Sequence, residues 1–281
     1  MVGRPYSREV GRTRSALLVA MLVAVISASS STAAAAVAPA MRLYVALGDS
    51  LAAGVGASDP ARTAYVPLLF QYFMQPRAEN VRLLRNLSRP GETSDSLIAG
   101  GQLALALAAI EDPTTDTRVV TLDIGGNDIL FLTFSEPCRS DPGGAACQAL
   151  VDAQLRKFAL NYALILTALQ SALAHDPGRE TLFVMTYYNP YGGTGHPYEP
   201  FADDVLLGSD LVIDCSAPAG DPRAGLNDLI ACGGAAAGAA VADVYPVFGD
   251  RAPQLTHISA GDIHPNDAGY ALIAQTFIAA D

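Results

Sequence analysis

A serine acts as a nucleophile when its hydroxyl is held clear of the backbone and a base stands ready to take its proton. Ser50 lies in Gly48-Asp49-Ser50-Leu51, directly after the apolar run 42–47 (RLYVAL). A strand that stops at a glycine and turns there can lift that hydroxyl above the end of a sheet. The segment is not G-x-S-x-G, since Ala52 stands at the second glycine position, so the nucleophile elbow of the common α/β-hydrolases is the wrong comparison. The base is sought among the four histidines, His175, His196, His257 and His264, because imidazole is the side chain suited to proton transfer near neutral pH. His264 stands out, with a nearby carboxylate and a rigid proline in Asp262-Ile263-His264-Pro265-Asn266. A third group sits in Gly125-Gly126-Asn127-Asp128, after the run 118–124 (RVVTLDI). An amide there can donate to charge developing on an oxyanion. Each motif also has a plain alternative: Ser50 as a helix N-cap, and 125–128 as a turn of common turn residues.

These groups need a scaffold to bring them together. Apolar and β-branched runs predict strands over 42–47, 81–87, 118–124, 181–188 and within 239–248. Helices are predicted over 96–110, with an interruption at Gly100-Gly101, over 149–175 with Asp176-Pro177-Gly178 as the stop, and over 267–280. The Gly-, Pro- and Asp-rich stretch 189–238 predicts long surface loops with short helices. Strands alternating with helices predict one doubly wound α/β domain with a parallel sheet covered on both faces. Ligands of such a sheet bind at the carboxyl ends of its strands, where Ser50 and Asn127 would stand.

Composition narrows the function further. The chain has 281 residues, is 51% hydrophobic and carries a formal charge of -11. It can bury a large core, and its acidity argues against a nucleic-acid partner. The first forty residues differ from the rest. Arg4, Arg8, Arg12 and Arg14 precede an uncharged apolar run over 16–26, followed by small residues over 27–40. This is the pattern of a secretory signal peptide, with cleavage expected after Ala36 or Ala40 and a single domain over 41–281. The run is short for a membrane span, so no stable membrane anchor is expected. Removing four basic residues and Glu9 from the 17 and 28 leaves 13 and 27, a charge of -14 for 41–281. Export permits disulfides among Cys138, Cys147, Cys215 and Cys232, and sequential pairing, which closes small loops, is the economical expectation. Metal binding by these cysteines is the weaker reading, because no CxxC or clustered histidine accompanies them.

Gly48-Asp49-Ser50-Leu51, Gly91 within 86–93 (NLSRPGET), Gly125-Gly126-Asn127-Asp128 and Asp262-Ile263-His264-Pro265-Asn266 occur in that order. Together they resemble the GDSL, or SGNH, hydrolases, a family of secreted esterases and lipases, over nearly all of 43–281. The resemblance implies a three-layer α/β/α, flavodoxin-like sandwich needing no metal or organic cofactor. It implies Ser50 as nucleophile, His264 as base, and an oxyanion hole of the Ser50 and Gly91 backbone N–H groups with the Asn127 amide. It also implies a substrate cleft lined by 187–191 (YYNPY). The family's acid usually stands three residues before the histidine, where this chain has Gly261. Asp262 stands two before, so either the backbone bends to bring Asp262 to His264 Nδ1 or a carbonyl near Gly261 orients the ring.

The expected activity is hydrolysis of a small-molecule or lipid ester by a monomer. A carbohydrate O-acetylesterase of the same fold, or a secreted binding module without catalysis, is the alternative. Other features carry plain readings. Asp49 and Asp128 are expected to bond turn backbone. Asn86-Leu87-Ser88 matches a glycosylation sequon, but a modified Asn86 would crowd Gly91. Loops around Asp141, Asp203 and Asp221 lack EF-hand spacing for calcium. No Gly-Lys-Ser/Thr follows Gly54 and Gly56, so a phosphate loop is not expected.

Overall fold

In the computed structural model, which describes residues 40–174, 180–215 and 224–281, Leu43 through Leu47 are fully buried. A strand apolar at every position must be covered on both faces. This strand, β1 (Met41–Gly48), pairs in parallel with β2 (Leu83–Asn86) on one side and β3 (Thr115–Asp123) on the other. β4 (Thr181–Met185) and β5 (Ala240–Ala242) extend the all-parallel sheet in the order β2-β1-β3-β4-β5. The chain steps outward in opposite directions from β1, so the crevice of this doubly wound fold opens between the carboxyl ends of β1 and β3.

Helices cover both faces. α2 (Tyr65–Phe73) packs on α11 (Asp267–Ala280), where Tyr65 stacks on Phe277 at 5.2 Å, and both Phe73 and Phe277 meet Phe183 of β4. The next residue of β4, Val184, points the other way, as pleating requires, and meets Gly234 of α8 (Leu226–Ala236). α3 (Ser94–Ala99), α4 (Gln102–Ile110) and α6 (Ala145–Leu173) complete that second layer. Shorter helices sit at the strand ends: α1 (Ser50–Ala53), α5 (Gly126–Leu130), α7 (Glu199–Leu207), α9 (Val244–Phe248) and α10 (Ala252–Leu255).

Several elements differ from the sequence expectation. The predicted helix over 96–110 is two helices, broken at Gly100-Gly101. α6 begins at Ala145, ahead of the expected 149, and carries Cys147, which is bonded to Cys138. The second disulfide joins Cys215 to Cys232. β4 ends at Met185, earlier than expected. The predicted strand within 239–248 is a strand only over Ala240–Ala242. Thr186 Oγ1 then accepts from the Val244 and Tyr245 N–H groups and starts α9 instead, and Pro246 has no N–H to give a ladder. The 189–238 stretch holds α7 and α8. Residues 1–39, His175 and the Asp176-Pro177-Gly178 stop lie outside the described residues. No helix among the described residues is long and apolar enough to cross a membrane.

Candidate active site

At the end of β1 the backbone passes so close to Asp123 that a Cβ on Gly48 would sit 1.7 Å from Asp123 Oδ1. Gly48 has φ +148, a region that glycine alone enters without strain. Asp49 then caps α1, its Oδ1 accepting from Leu51 N at 2.9 Å. Ser50 is therefore the first residue of the helix, and its hydroxyl is not spent as a cap. α1 is held from both neighbouring strands: Asn86 Nδ2 donates to Ala52 O at 2.8 Å, and Ala52 N donates to Asp123 Oδ2 at 3.2 Å. The amide of the Asn86 sequon thus fastens the serine helix.

His264 arrives on a closed loop. Thr256 and Pro265 form an antiparallel bridge, His257 N donates to His264 O at 3.0 Å, and Asn266 N donates to Leu255 O at 2.9 Å. Tyr188 OH, on a ring stacked against Phe248, donates to Ile263 O at 2.7 Å. A Cβ on Gly56 (φ +89) would lie 2.7 Å from Pro265 O and 3.0 Å from His264 Cβ, so glycine lets the two segments touch. His257 Nε2 adds a hydrogen bond to Gly56 O at 2.8 Å.

Held this way, His264 Nε2 lies 2.9 Å from Ser50 Oγ. Asp262 Oδ1 lies 2.5 Å from His264 Nδ1 and also accepts from the His264 backbone N at 3.0 Å. The short D-x-H spacing reaches the ring because the side chain folds back over its own turn, as Asx turns do. An ionised carboxylate only accepts, so Nδ1 carries the hydrogen and Nε2 turns its lone pair to the serine hydroxyl. Burial opposes ionisation of Asp262, but the hydrogen bonds from the His264 amide and ring outweigh it and hold the carboxyl below its ordinary range.

Asn127 stands in the first turn of α5, after β3, rather than in an isolated turn. Its Nδ2 donates to Glu92 O at 2.9 Å and to Asp49 Oδ2 at 3.3 Å. Gly91 lies in the turn before α3 with φ +80. Among the described residues neither the Ser50 nor the Gly91 backbone N–H has a protein acceptor. Ser50, Gly91, Asn127 and His264 all border one cleft of about 360 Å³, whose walls include Ile129, Leu130, Phe131, Val205 and Leu206. Tyr187, Tyr188, Pro190 and Tyr191 also line it. Asn189 does not, its amide donating to Glu199 O and Asp203 Oδ1.

Two buried devices beneath the site went unread in the sequence. Asp49 and Asp123 bury their carboxyls against each other. Asp49 Oδ2 accepts from Tyr187 OH and Asp123 Oδ1 from Tyr65 OH, each at 2.8 Å. Burial raises both carboxyls, and the charge of Asp49 raises Asp123 further. Gln102, fully buried, accepts from Gly48 N at 2.7 Å and donates to Gly48 O at 3.1 Å and Glu92 Oε2 at 2.8 Å. It clamps the end of β1 to the segment bearing Gly91. Its signal was being the one polar residue in the helix QLALALAAI.

The remaining candidates lie elsewhere. Asp128 accepts from Ser94 N and Oγ at the start of α3 rather than within its own turn. His196 is exposed, its Nδ1 accepting from Tyr198 N. Asp203 accepts from Asn189 and from Tyr245 OH. Asp221 lies outside the described residues. Among the described residues no group of three or more His, Cys, Asp and Glu is placed to hold a metal ion.

A flavodoxin-like sheet with Ser50, Asn127 and His264 gathered around one cleft at its switch point is the arrangement of a carboxylic ester hydrolase of the SGNH fold. Residues 46–272 match the GDSL-like lipase/acylhydrolase family, and the chain belongs to that family. The lipase Lip_vut3 from a goat rumen metagenome shares the fold, with 20% identity, a TM-score of 0.57, and coverage of 85% of this chain and 97% of that one. An extracellular lipase from Streptomyces rimosus does so at 22% identity and TM-score 0.56, covering 85% and 100%. The acetylxylan esterase Axe2 from Geobacillus stearothermophilus is more distant, at 16% identity and TM-score 0.50, covering 86% and 94%. At these identities the likeness is one of fold. No curated protein matches the chain significantly.

Proposed function

We propose that the protein is a secreted serine esterase that hydrolyses esters of fatty acyl chains through an acyl-enzyme. The carrying observation is the 2.9 Å contact of His264 Nε2 with Ser50 Oγ, bordering an apolar cleft. His264 takes the hydroxyl proton as Ser50 Oγ attacks the ester carbonyl carbon, and Asp262 holds the ring and balances its charge. The tetrahedral oxyanion draws hydrogen bonds from the Ser50 and Gly91 N–H groups and from Asn127 Nδ2. In this reading Asn127 gives up its longer bond, to Asp49, for the oxyanion. His264 then protonates the departing alkoxide, and water activated by the same ring releases the acid. Residues 1–40 act as the export signal, a reading supported by the two disulfides.

The aliphatic walls favour an acyl chain over an acetyl group. With p-nitrophenyl esters, kcat/KM should rise from acetate by about threefold per added methylene until the cleft is full. Ser50→Ala should abolish turnover at every length. A preference for acetate, or activity surviving Ser50→Ala, contradicts the reading. Asn127→Ala should lower kcat by about 10²- to 10³-fold with KM little changed, because its bond forms in the transition state. Steady-state kinetics on the best ester measures both.

A further inference from the structure

Phe131 and Phe134 are 54% and 70% exposed. They lie on one 3₁₀ turn, Phe131–Phe134, directly after α5. Residues three apart in such a turn eclipse one another, so both rings leave the protein on the same side. The turn is firmly held. Leu132 packs into the core, Thr133 Oγ1 donates to Leu130 O at 2.6 Å, and Ser135 Oγ donates to Leu132 O at 2.7 Å. Rings presented on a rigid turn lose little entropy when they are covered.

Two further observations say what covers them. The surface runs into the substrate cleft, because Ile129, Leu130, Phe131 and Thr133 of the same segment line it. The electrostatics then select the partner. Glu136 and Arg139, which follow the turn, neutralise each other at 2.7 Å, while the chain as a whole carries -11. Such a protein is repelled by anionic surfaces and drawn to uncharged ones by apolar contact alone.

We propose that the Phe131–Phe134 turn docks into the acyl layer of a zwitterionic or neutral lipid aggregate and sets the cleft mouth against the esters held there. The proposal rests on the acyl-ester reading above. It assigns the turn a role that hydrolysis of a dissolved ester does not need.

The test is flotation of the protein with phosphatidylcholine vesicles, wild type against Phe134→Ser. Phe134 does not line the cleft and is largely in water, so the substitution spares both fold and site. Both proteins share any contribution from residues 1–40. The partition coefficient of Phe134→Ser should fall about tenfold, with hydrolysis of dissolved p-nitrophenyl butyrate unchanged. Mixing phosphatidylglycerol into the vesicles should weaken wild-type binding. Equal partition of the two proteins overturns the proposal, as does a wild type that hydrolyses the dissolved ester but does not float. Binding that strengthens with anionic lipid overturns it too. So does a dimer that Phe134→Ser dissolves without any vesicle binding, which assigns the turn to a second copy. A wild type that hydrolyses no dissolved ester instead removes the enzymatic reading beneath it.

Discussion

Replacing His264 with alanine is expected to cut kcat for ester hydrolysis by about 10⁴- to 10⁶-fold while leaving the fold intact. The serine hydroxyl is a weak nucleophile until its proton is taken. His264 Nε2, at 2.9 Å, is the group positioned to take it. His257, the other described histidine on this loop, is engaged with Gly56 O and cannot substitute without dismantling the loop. The 256–265 bridge and the Asn266 cap are made by backbone and by other side chains, so the thermal unfolding midpoint should stay within a few degrees of wild type. A loss of less than tenfold would remove His264 from the role of base.

Asp262→Asn is the second large effect, with kcat falling by about 10³- to 10⁴-fold. An asparagine can turn its NH₂ toward Nδ1 and hold the ring in the wrong tautomer, with the hydrogen on Nε2 facing Ser50. It also removes the charge that balances the imidazolium. If a backbone carbonyl oriented the ring instead, the substitution would change turnover little. The carboxyl adds a stability signature as well. Its folded value is lowered, so its contribution is present above the unfolded value of about 3.9 and is lost as pH falls through the lower folded one. The stability gap between wild type and Asp262→Asn should therefore narrow in acid, which denaturant titrations between pH 3 and 7 can follow. The group is nearly half exposed, so that gap is small beside the kinetic effect.

Much of the site could be read from the chain because its parts sit where short runs end. An apolar run into Gly48 meant a strand and a turn, and Ser50 stands there. The run before Gly125 did the same for Asn127. The last helix has its expected bounds because Asn266 is a strong cap and no proline interrupts the helix that follows. What escaped depends on contacts distant in sequence. Asp123 was one residue within the predicted strand 118–124, yet it lies against Asp49, Tyr65 and Ala52, all more than fifty positions away. Gln102 fell inside the predicted helix 96–110 with no role of its own and proves to hold Gly48 and Glu92. The reach of Asp262 to His264 follows from a side chain folding back inside a closed loop, which spacing alone leaves open. The strand expected within 239–248 stopped early because Thr186, on a neighbouring segment, captured the backbone of Val244.

In the proposed mechanism Ser50 Oγ is the atom that becomes acylated. The direct measurement is stoichiometric treatment with diethyl p-nitrophenyl phosphate, followed by intact-mass analysis and peptide mapping. One diethylphosphoryl adduct should form on Ser50, in step with loss of esterase activity, and Ser50→Ala should remain unlabelled. An adduct mapped to any other residue, or full activity in protein quantitatively labelled at Ser50, would contradict the account.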